Sequence, residues 1–295
     1  MIDPKMTLIR KAAVFFAVLT LAVLLGSYGG RLHPLGDSLA VFRPVFAVLL
    51  LALSFALTGA GRYVLLAVAL LALLPILWLA RPVAVADPTI TVYQKNLLFR
   101  RGDPSDLIAD FRASGADVIL LEELSDANLP IPKALIDSHP HQLICRAHTV
   151  GAVAILSVHP LSDPYCREGS GYAIARVQHP AGAFTAVAIH LHWPYPFGQE
   201  AQVNQIMADI AGASRPMILG GDFNMVPWAG APRRIAAVTD TRIAGPIRPT
   251  LFVKGYPLPI DHVLTDTRMT ASVERRAQFG SDHYGVLARI GRIAR

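Results

Sequence analysis

Three uncharged apolar runs crowd the N-terminal end of the chain, and no other feature restricts its fold so strongly. Residues 12–30 (AAVFFAVLTLAVLLGSYGG), 44–61 and 63–80 contain no Asp, Glu, Lys or Arg. A bilayer core about 30 Å thick needs about 20 such residues in one helix. The first and third runs meet that length directly. The second meets it over 39–58 if Arg43 stretches its guanidinium to the headgroups. Gly59-Ala60-Gly61-Arg62 then turns the chain into the third run. These runs predict a membrane anchor over 1–81 with transmembrane helices at about 12–30, 39–58 and 63–80, and a linker at 82–88. A cleaved signal peptide accounts for the first run alone, after Lys5, Arg10 and Lys11, but not for two more. Ala84-Val85-Ala86 has the small-x-small form of a cleavage site, so release of the downstream part is an alternative.

Lys and Arg beside the spans set orientation. Lys5, Arg10, Lys11 and Arg62 fall on one side and Arg31, Arg43 and Arg81 on the other. That bias puts the N-terminus in the cytoplasm of a multi-pass inner (plasma) membrane protein, with everything after Arg81 periplasmic or extracellular. The net charge of +6 also divides unevenly. Residues 1–88 hold seven Lys and Arg against three Asp and Glu, and the remainder holds twenty against eighteen. The downstream domain is therefore nearly neutral and carries no broad electrostatic footprint for nucleic acid. Cys145 and Cys166, the only cysteines, both lie downstream. They are compatible with a disulfide in an oxidising compartment, and two buried thiols would read the same.

After the linker the pattern changes to short apolar runs bounded by turn residues: 89–98, 117–124, 151–158, 172–179, 184–192, 216–221, 261–265 and 284–290. Their length and Val/Ile content predict strands. Helical patterns intervene at 104–114, where Ser105 is placed to cap, and at 199–213. One α/β domain over 89–295 follows.

Several of these strands end in residues that bind metals or move protons: Asn96, Glu122 and Glu123, His190 and His192, and Asp222 and Asn224. Asp261-His262 opens another strand and Ser281-Asp282-His283 introduces the last. Ligands of α/β sheets bind where strand ends and loops converge. In MILGGDFN (217–224), alternate residues leaving a strand point the same way, so Asp222 and Asn224 share a face while Phe223 packs behind. Gly220 and Gly221 admit close backbone approach. No G-x-S-x-G occurs and neither cysteine sits beside a candidate base, so a Ser or Cys nucleophile is not indicated.

Asn96, DVILLEE (117–123), GAVAILSVHPL (151–161), IHLHWP (189–194), GGDFN (220–224), IDHV (260–263) and SDHY (281–284) together give a specific resemblance. In content and chain order the set resembles the endonuclease/exonuclease/phosphatase superfamily, with its deoxyribonuclease-I-like fold. The resemblance implies a four-layered α/β sandwich, two packed sheets flanked by helices, with the active site at one edge. It implies that Glu123, Asn96 and Asp282 form the metal site for Mg²⁺ or Mn²⁺, with Glu122 secondary. The acidic ligand often found just beyond the asparagine is replaced here by Leu97 and Leu98, which argues for a metal that keeps several waters. Asp222 is implied as the base that deprotonates the attacking water and Asn224 as its partner. His283 would contact a phosphate oxygen with its tautomer fixed by Asp261, and His190 would be a second phosphate contact and general acid. His192 and Trp193, in the aromatic stretch HWPYPFG (192–198), are candidate substrate contacts, and His262 is structural.

The function implied is a membrane-anchored phosphoric ester hydrolase acting on a phosphodiester or phosphomonoester, a phospholipid head group or small organic phosphate. Its partners are then the lipid bilayer and that substrate. A nuclease for extracellular DNA or RNA would share every catalytic residue. A silent binding module would have degraded motifs, and these are intact.

Overall fold

The computed structural model describes residues 4–99, 102–146 and 150–292; the outer ends of the expected anchor and catalytic domain, 1–3 and 293–295, lie outside the described residues. Two six-stranded sheets face each other. The first combines β1 (Ile90–Asn96), β2 (Val118–Leu124), β3 (His141–Cys145), β4 (Ala152–Ser157), β13 (Met269–Arg276) and β14 (Gly285–Arg292) in the order β13-β14-β1-β2-β4-β3. The second combines β5 (Leu161–Cys166), β6 (Tyr172–Val177), β7 (Phe184–His190), β8 (Met217–Asp222), β9 (Thr241–Ile243) and β12 (Asp261–Asp266) in the order β5-β6-β7-β8-β12-β9. A separate hairpin pairs β10 (Leu251–Val253) with β11 (Tyr256–Leu258).

The layers follow from the two-residue alternation of strand side chains. Val92, Leu120 and Ile155 point inward to meet Ala188, Ile218 and Val263 of the opposing sheet. Tyr93, Ile119 and Leu121 point outward against α5 (Ser105–Ser114) and α6 (Pro130–Ala134). Val187 and Leu219 pack outward against α7 (Gln199–Ile210) and α8 (Gly230–Thr239). The sequence is thus a two-sheet α/β sandwich with helices on both outer faces. β1 and β2 are parallel with α5 as crossover, and β7 and β8 are parallel with α7 as crossover. Both pairs therefore end at the same rim, and that rim carries Asn96, Glu123, His190 and Asp222. The close approach expected at the paired glycines is present: a Cβ on Gly221 would lie 1.8 Å from the Ile189 carbonyl oxygen.

Ser105 does not cap α5. Asp103 Oδ1 accepts both the Ser105 N–H and its hydroxyl, at 3.0 and 2.6 Å, so the acid two residues upstream satisfies that end.

The N-terminal part departs from the expected three spans. Among the described residues two helices are long and apolar enough to cross a membrane, Leu8–Gly26 within α1 (Pro4–Gly26) and α4 (Ala60–Leu79). The middle run is divided into α2 (Leu35–Ala40) and α3 (Arg43–Ser54). Twelve residues of α3 extend about 18 Å, short of a bilayer core. Pro44 explains the break. It has no N–H for the Ala40 carbonyl, and its ring clashes with that carbonyl in a continuous helix. The carbonyl so freed accepts the Trp228 indole N–H at 2.7 Å, and the next one, of Val41, accepts the Tyr256 hydroxyl at 3.1 Å.

Arg43 likewise does not reach outward. It is buried, donates to Ser27 Oγ at 3.0 Å and to the Trp228 carbonyl at 3.0 Å, and lies over the Tyr28 ring. The break in the middle run is where the N-terminal helices join the sandwich.

The two cysteines form a disulfide, Cys145–Cys166, with Cα atoms 5.5 Å apart. It ties β3 to β5, the edge strands of opposite sheets, at a sequence separation of 21. A loop of that length is worth about 3 kcal/mol through the unfolded chain. Reductant, or Cys145→Ser with Cys166→Ser, should lower the melting temperature of the full-length protein in detergent by roughly 6–12 °C. A double variant that melts like wild type would show that the bond does not stabilise the protein.

Candidate active site

The rim of the sandwich gathers the polar strand ends into one cleft of about 490 Å³. Glu123, His190, His192, Trp193, Asp222, Asn224, Asp282 and His283 all border it.

Two local distortions aim the side chains. Glu123 has φ +55° and lies where β2 loses register with β4 between Leu121 and Leu124. In a regular strand Glu122 and Glu123 would face opposite ways; the irregularity allows Glu122 to stay buried between the sheets while Glu123 borders the cleft. Asn224 has φ +46°, just beyond the end of β8. Residues other than glycine in this conformation cost about 1–3 kcal/mol and cluster at working sites.

Asn96 stands between the two carboxylates nearest the cleft. Its Nδ2 donates to Glu123 Oε1 at 3.1 Å and to Asp222 Oδ2 at 3.0 Å. Its Oδ1 accepts the Leu98 N–H at 3.0 Å, which fixes the direction of the amide. Glu123 Oε2 is held by the Phe99 N–H at 3.0 Å. Asp222 Oδ1 takes the Asn224 N–H at 2.7 Å, and the Asn224 side-chain amide reaches the Leu191 carbonyl at 2.7 Å. His190 Nε2 lies 3.8 Å from Glu123 Oε1 and 3.8 Å from Asp222 Oδ2.

On the other side, His283 Nδ1 donates to Asp261 Oδ2 at 2.8 Å, leaving Nε2 3.8 Å from Asp222 Oδ2 and 4.0 Å from Asp282 Oδ1. The Asp282 side chain is half exposed at the mouth. His192 and Trp193 line the opening, with Trp193 45 % exposed. His262 points away from the cleft, bonding the Met225 carbonyl at 2.8 Å.

Beneath these residues lies a buried polar layer that sequence reading missed. Gln94 Nε2 donates to Glu122 Oε2 at 2.7 Å and to Asp261 Oδ1 at 2.9 Å. Thr250 Oγ1 accepts the Asp261 N–H at 3.1 Å, and the Lys95 ammonium donates to the His283 carbonyl. The available signal was Gln94 and Lys95 inside a run otherwise reading as a buried strand.

Burial dominates the electrostatics. It raises Asp222 to about 7, with Asp261 adding to the rise and His283 opposing it. Burial and the Asp261 charge push Glu122 well above the usual carboxylate range, and its Oε1 has no hydrogen-bond partner among the described residues. Burial and the His283 charge lower His190 to about 4. For His283 burial also opposes charge, but Asp261 and Asp222 outweigh it and lift the imidazole to about 10.

The donor set suits a hard divalent cation. Asp222, Asp261 and His283 offer ligand atoms within 4.8 Å of one another. Asp261 does not border the cleft and is committed to His283 and Gln94, whereas the Glu123, Asp222 and Asp282 carboxylates all border it. Carboxylate oxygen with room for water is what Mg²⁺ and Mn²⁺ prefer. A second convergence, Asp117 with His159 and His179, lies at the other end of β2. There His179 Nδ1 accepts the Ala181 N–H at 3.0 Å, so its Nε2 carries the proton and points it at Asp117. A metal-binding histidine would have the reverse arrangement.

Solved structures share this architecture. Sphingomyelinase C from Streptomyces griseocarneus superimposes with a TM-score of 0.51 at 17% identity, covering 68% of this chain and 99% of that one. Beta toxin from Staphylococcus aureus with bound magnesium ions gives 0.53 at 15%, covering 68% and 99%. The endonuclease domain of TRAS1, a telomere-specific non-LTR retrotransposon, gives 0.54 at 18%, covering 71% and 100%. At such identities the likeness is one of fold. A search of curated proteins gives no match. A family model, however, matches residues 94–283, from the buried glutamine beneath the cleft to the histidine at its edge. The chain belongs to the Endonuclease/Exonuclease/phosphatase family.

Proposed function

We propose that the chain is a membrane-anchored, Mg²⁺- or Mn²⁺-dependent phosphoesterase acting on a phosphodiester or phosphomonoester presented at a membrane surface, such as a phospholipid head group. The observation that carries this reading is the joint between anchor and cleft. The loop 192–198 borders the cleft with Trp193 and Phe197, and its Tyr195 carbonyl accepts the Ser38 hydroxyl at 3.0 Å while its ring meets His33 at 5.1 Å. Asp37 holds the start of α8, accepting the Gly230 and Ala231 N–H groups at 2.8 and 3.1 Å. A cleft built onto its anchor in this way opens beside the bilayer. Outward-facing Phe15, Val18, Leu71 and Trp78, each more than half exposed, support a lipid environment for α1 and α4.

A phosphoester anion repels nucleophiles, so the site has to neutralise charge and place a water in line. A cation held by Glu123, with Asp282 at the mouth, would supply that neutralisation. Asp222 then takes the proton of the attacking water, with Asn224 and Asn96 fixing its carboxylate. Cationic His283 binds a phosphate oxygen through Nε2. His190, neutral with its pKa at about 4, donates or accepts a hydrogen bond and is poorly suited to act as a charged acid.

A nuclease is the second reading, supported by the fold shared with the TRAS1 endonuclease domain; the near-neutral domain speaks against it. Full-length protein in phosphatidylcholine vesicles, given bis(p-nitrophenyl) phosphate, p-nitrophenyl phosphate, a short-chain phospholipid or DNA, separates the two. EDTA-sensitive hydrolysis of lipid or small ester is expected, and DNA cleavage that falls steeply with salt would transfer the assignment to a nuclease. Glu123→Gln should raise the Mg²⁺ concentration for half-maximal activity by about tenfold or more, and an unchanged titration would remove Glu123 from the metal site.

Arg10 reaches Thr58, so 43–58 runs back beside α1 to the end of the anchor remote from the sandwich. This favours an N-terminus and catalytic domain on opposite sides of the membrane, the domain in the oxidising compartment that its disulfide requires. A reporter fused after residue 295 should give a non-cytoplasmic signal.

A further inference from the structure

Away from the catalytic cleft, and sharing no lining residue with it, a groove of about 770 Å³ runs between α4, α8 and the edge strands β9 and β13 of the two sheets. One wall is apolar: Pro75, Ile76 and Leu79 of α4. The other carries exposed arginines, Arg233 on α8 and Arg242 on β9, and Arg81 extends from the end of α4. No carboxylate lines the groove among the described residues. Arg43 at its deep end faces Arg233 closely enough for the two cations to repel. Asp37 also faces Arg43, but its carboxylate is engaged by the N–H groups at the start of α8.

Arg242 donates to the Met269 carbonyl and Arg81 lies over the Trp78 ring, but none of the three guanidinium groups meets a carboxylate in the groove. Cations so placed next to an apolar helix end ask for one ligand that is anionic at one end and hydrocarbon at the other. We propose that this groove holds an anionic phospholipid, its phosphate among Arg81, Arg233 and Arg242 and an acyl chain along α4. Arginine suits the role because its planar fork meets phosphate oxygens in pairs. Basic pockets beside membrane helices at headgroup level bind such lipids. The lipid is distinct from the substrate and holds the sandwich at a fixed height and tilt, so that the cleft faces the membrane surface. The inference rests on the anchor reading but not on the chemistry at Glu123 and Asp222.

The test uses full-length protein in nanodiscs of phosphatidylcholine, with and without phosphatidylglycerol, and a fluorescent phosphatidylglycerol titrated in micelles. Wild type should bind the labelled lipid saturably at one site and melt at a higher temperature when phosphatidylglycerol is present. Arg81→Ala with Arg233→Ala should weaken binding by about 25-fold, about fivefold per arginine, and melt like wild type in phosphatidylcholine alone. Arg233→Lys, which keeps the charge but not the fork, should lose less than Arg233→Ala. Equal affinity for the two lipids, unchanged binding by the double variant, or displacement of the label by inorganic phosphate alone would overturn the proposal. Protein that enters phosphatidylcholine discs but ignores phosphatidylglycerol overturns this inference and spares the anchor. Protein that enters no disc overturns both.

Discussion

Asp222→Asn is expected to lower turnover by about a thousandfold or more while the melting temperature stays within a few degrees of wild type. The carboxylate is almost fully buried, and burial together with Asp261 raises it to about 7. An acid whose folded pKa exceeds its unfolded value weakens the fold as it ionises, here from about pH 4 upward to about 7. An amide removes that penalty. It also loses one of the two hydrogen bonds now made to Asn96 and Asn224, because it cannot accept at both positions. The two effects oppose each other, so stability changes little. Catalysis has no such compensation, since the amide accepts no proton from water. The wild-type rate should also fall on the acid side, with a limb at about pH 7 or lower, since a cation beside Asp222 favours its charged form. The variant's residual activity should lack that limb. Full turnover by Asp222→Asn would assign the base elsewhere.

The sandwich was legible because buried central strands are marked by their own side chains. Val92, Leu120, Val187 and Leu219 stand in apolar runs of strand length. The edge strands were not. β5 (LSDPYC) is mostly exposed, contains Pro164 and has a register shift, and it never alternates. β9, β10 and β11 have three residues each, too few to show any period. The convergence of polar strand ends was legible from topology, as crossover helices bring parallel strands out at one rim. The bend at Glu123 was not, because its positive φ falls where the ladder between β2 and β4 shifts register, a tertiary feature with no mark in the local sequence. Hydropathy alone also misjudged the middle apolar run. It weighs Pro44 as a mildly apolar residue, whereas the backbone treats it as a missing donor, and only a distant Trp228 shows what use is made of the freed carbonyl.

The pairing of His283 with Asp261 leads to the second large effect. Nδ1 gives its proton to a carboxylate oxygen 2.8 Å away, and the other oxygen of that carboxylate is held by Gln94. Burial opposes charge on the imidazole, yet Asp261 and Asp222 together raise it to about 10, and the same partnership with His283 holds Asp261 below the usual carboxylate range despite its own burial. A histidine raised from an unfolded value of about 6.5 contributes stability that is complete below that pH and is lost as pH climbs through about 10. In the folded protein the positive Nε2–H that would meet a phosphate oxygen is lost only around the upper of these values, so the wild-type rate should decline near pH 10. Asp261→Asn removes the nearest negative charge and the fixed acceptor for Nδ1–H. Turnover should drop by about a hundredfold or more, and the alkaline limb should move at least one unit toward neutrality. A profile of kcat/KM against pH checks both. A variant that loses rate with its alkaline limb still near 10 would mean that Asp222 alone sustains the imidazolium, and that Asp261 serves only to hold the ring in place.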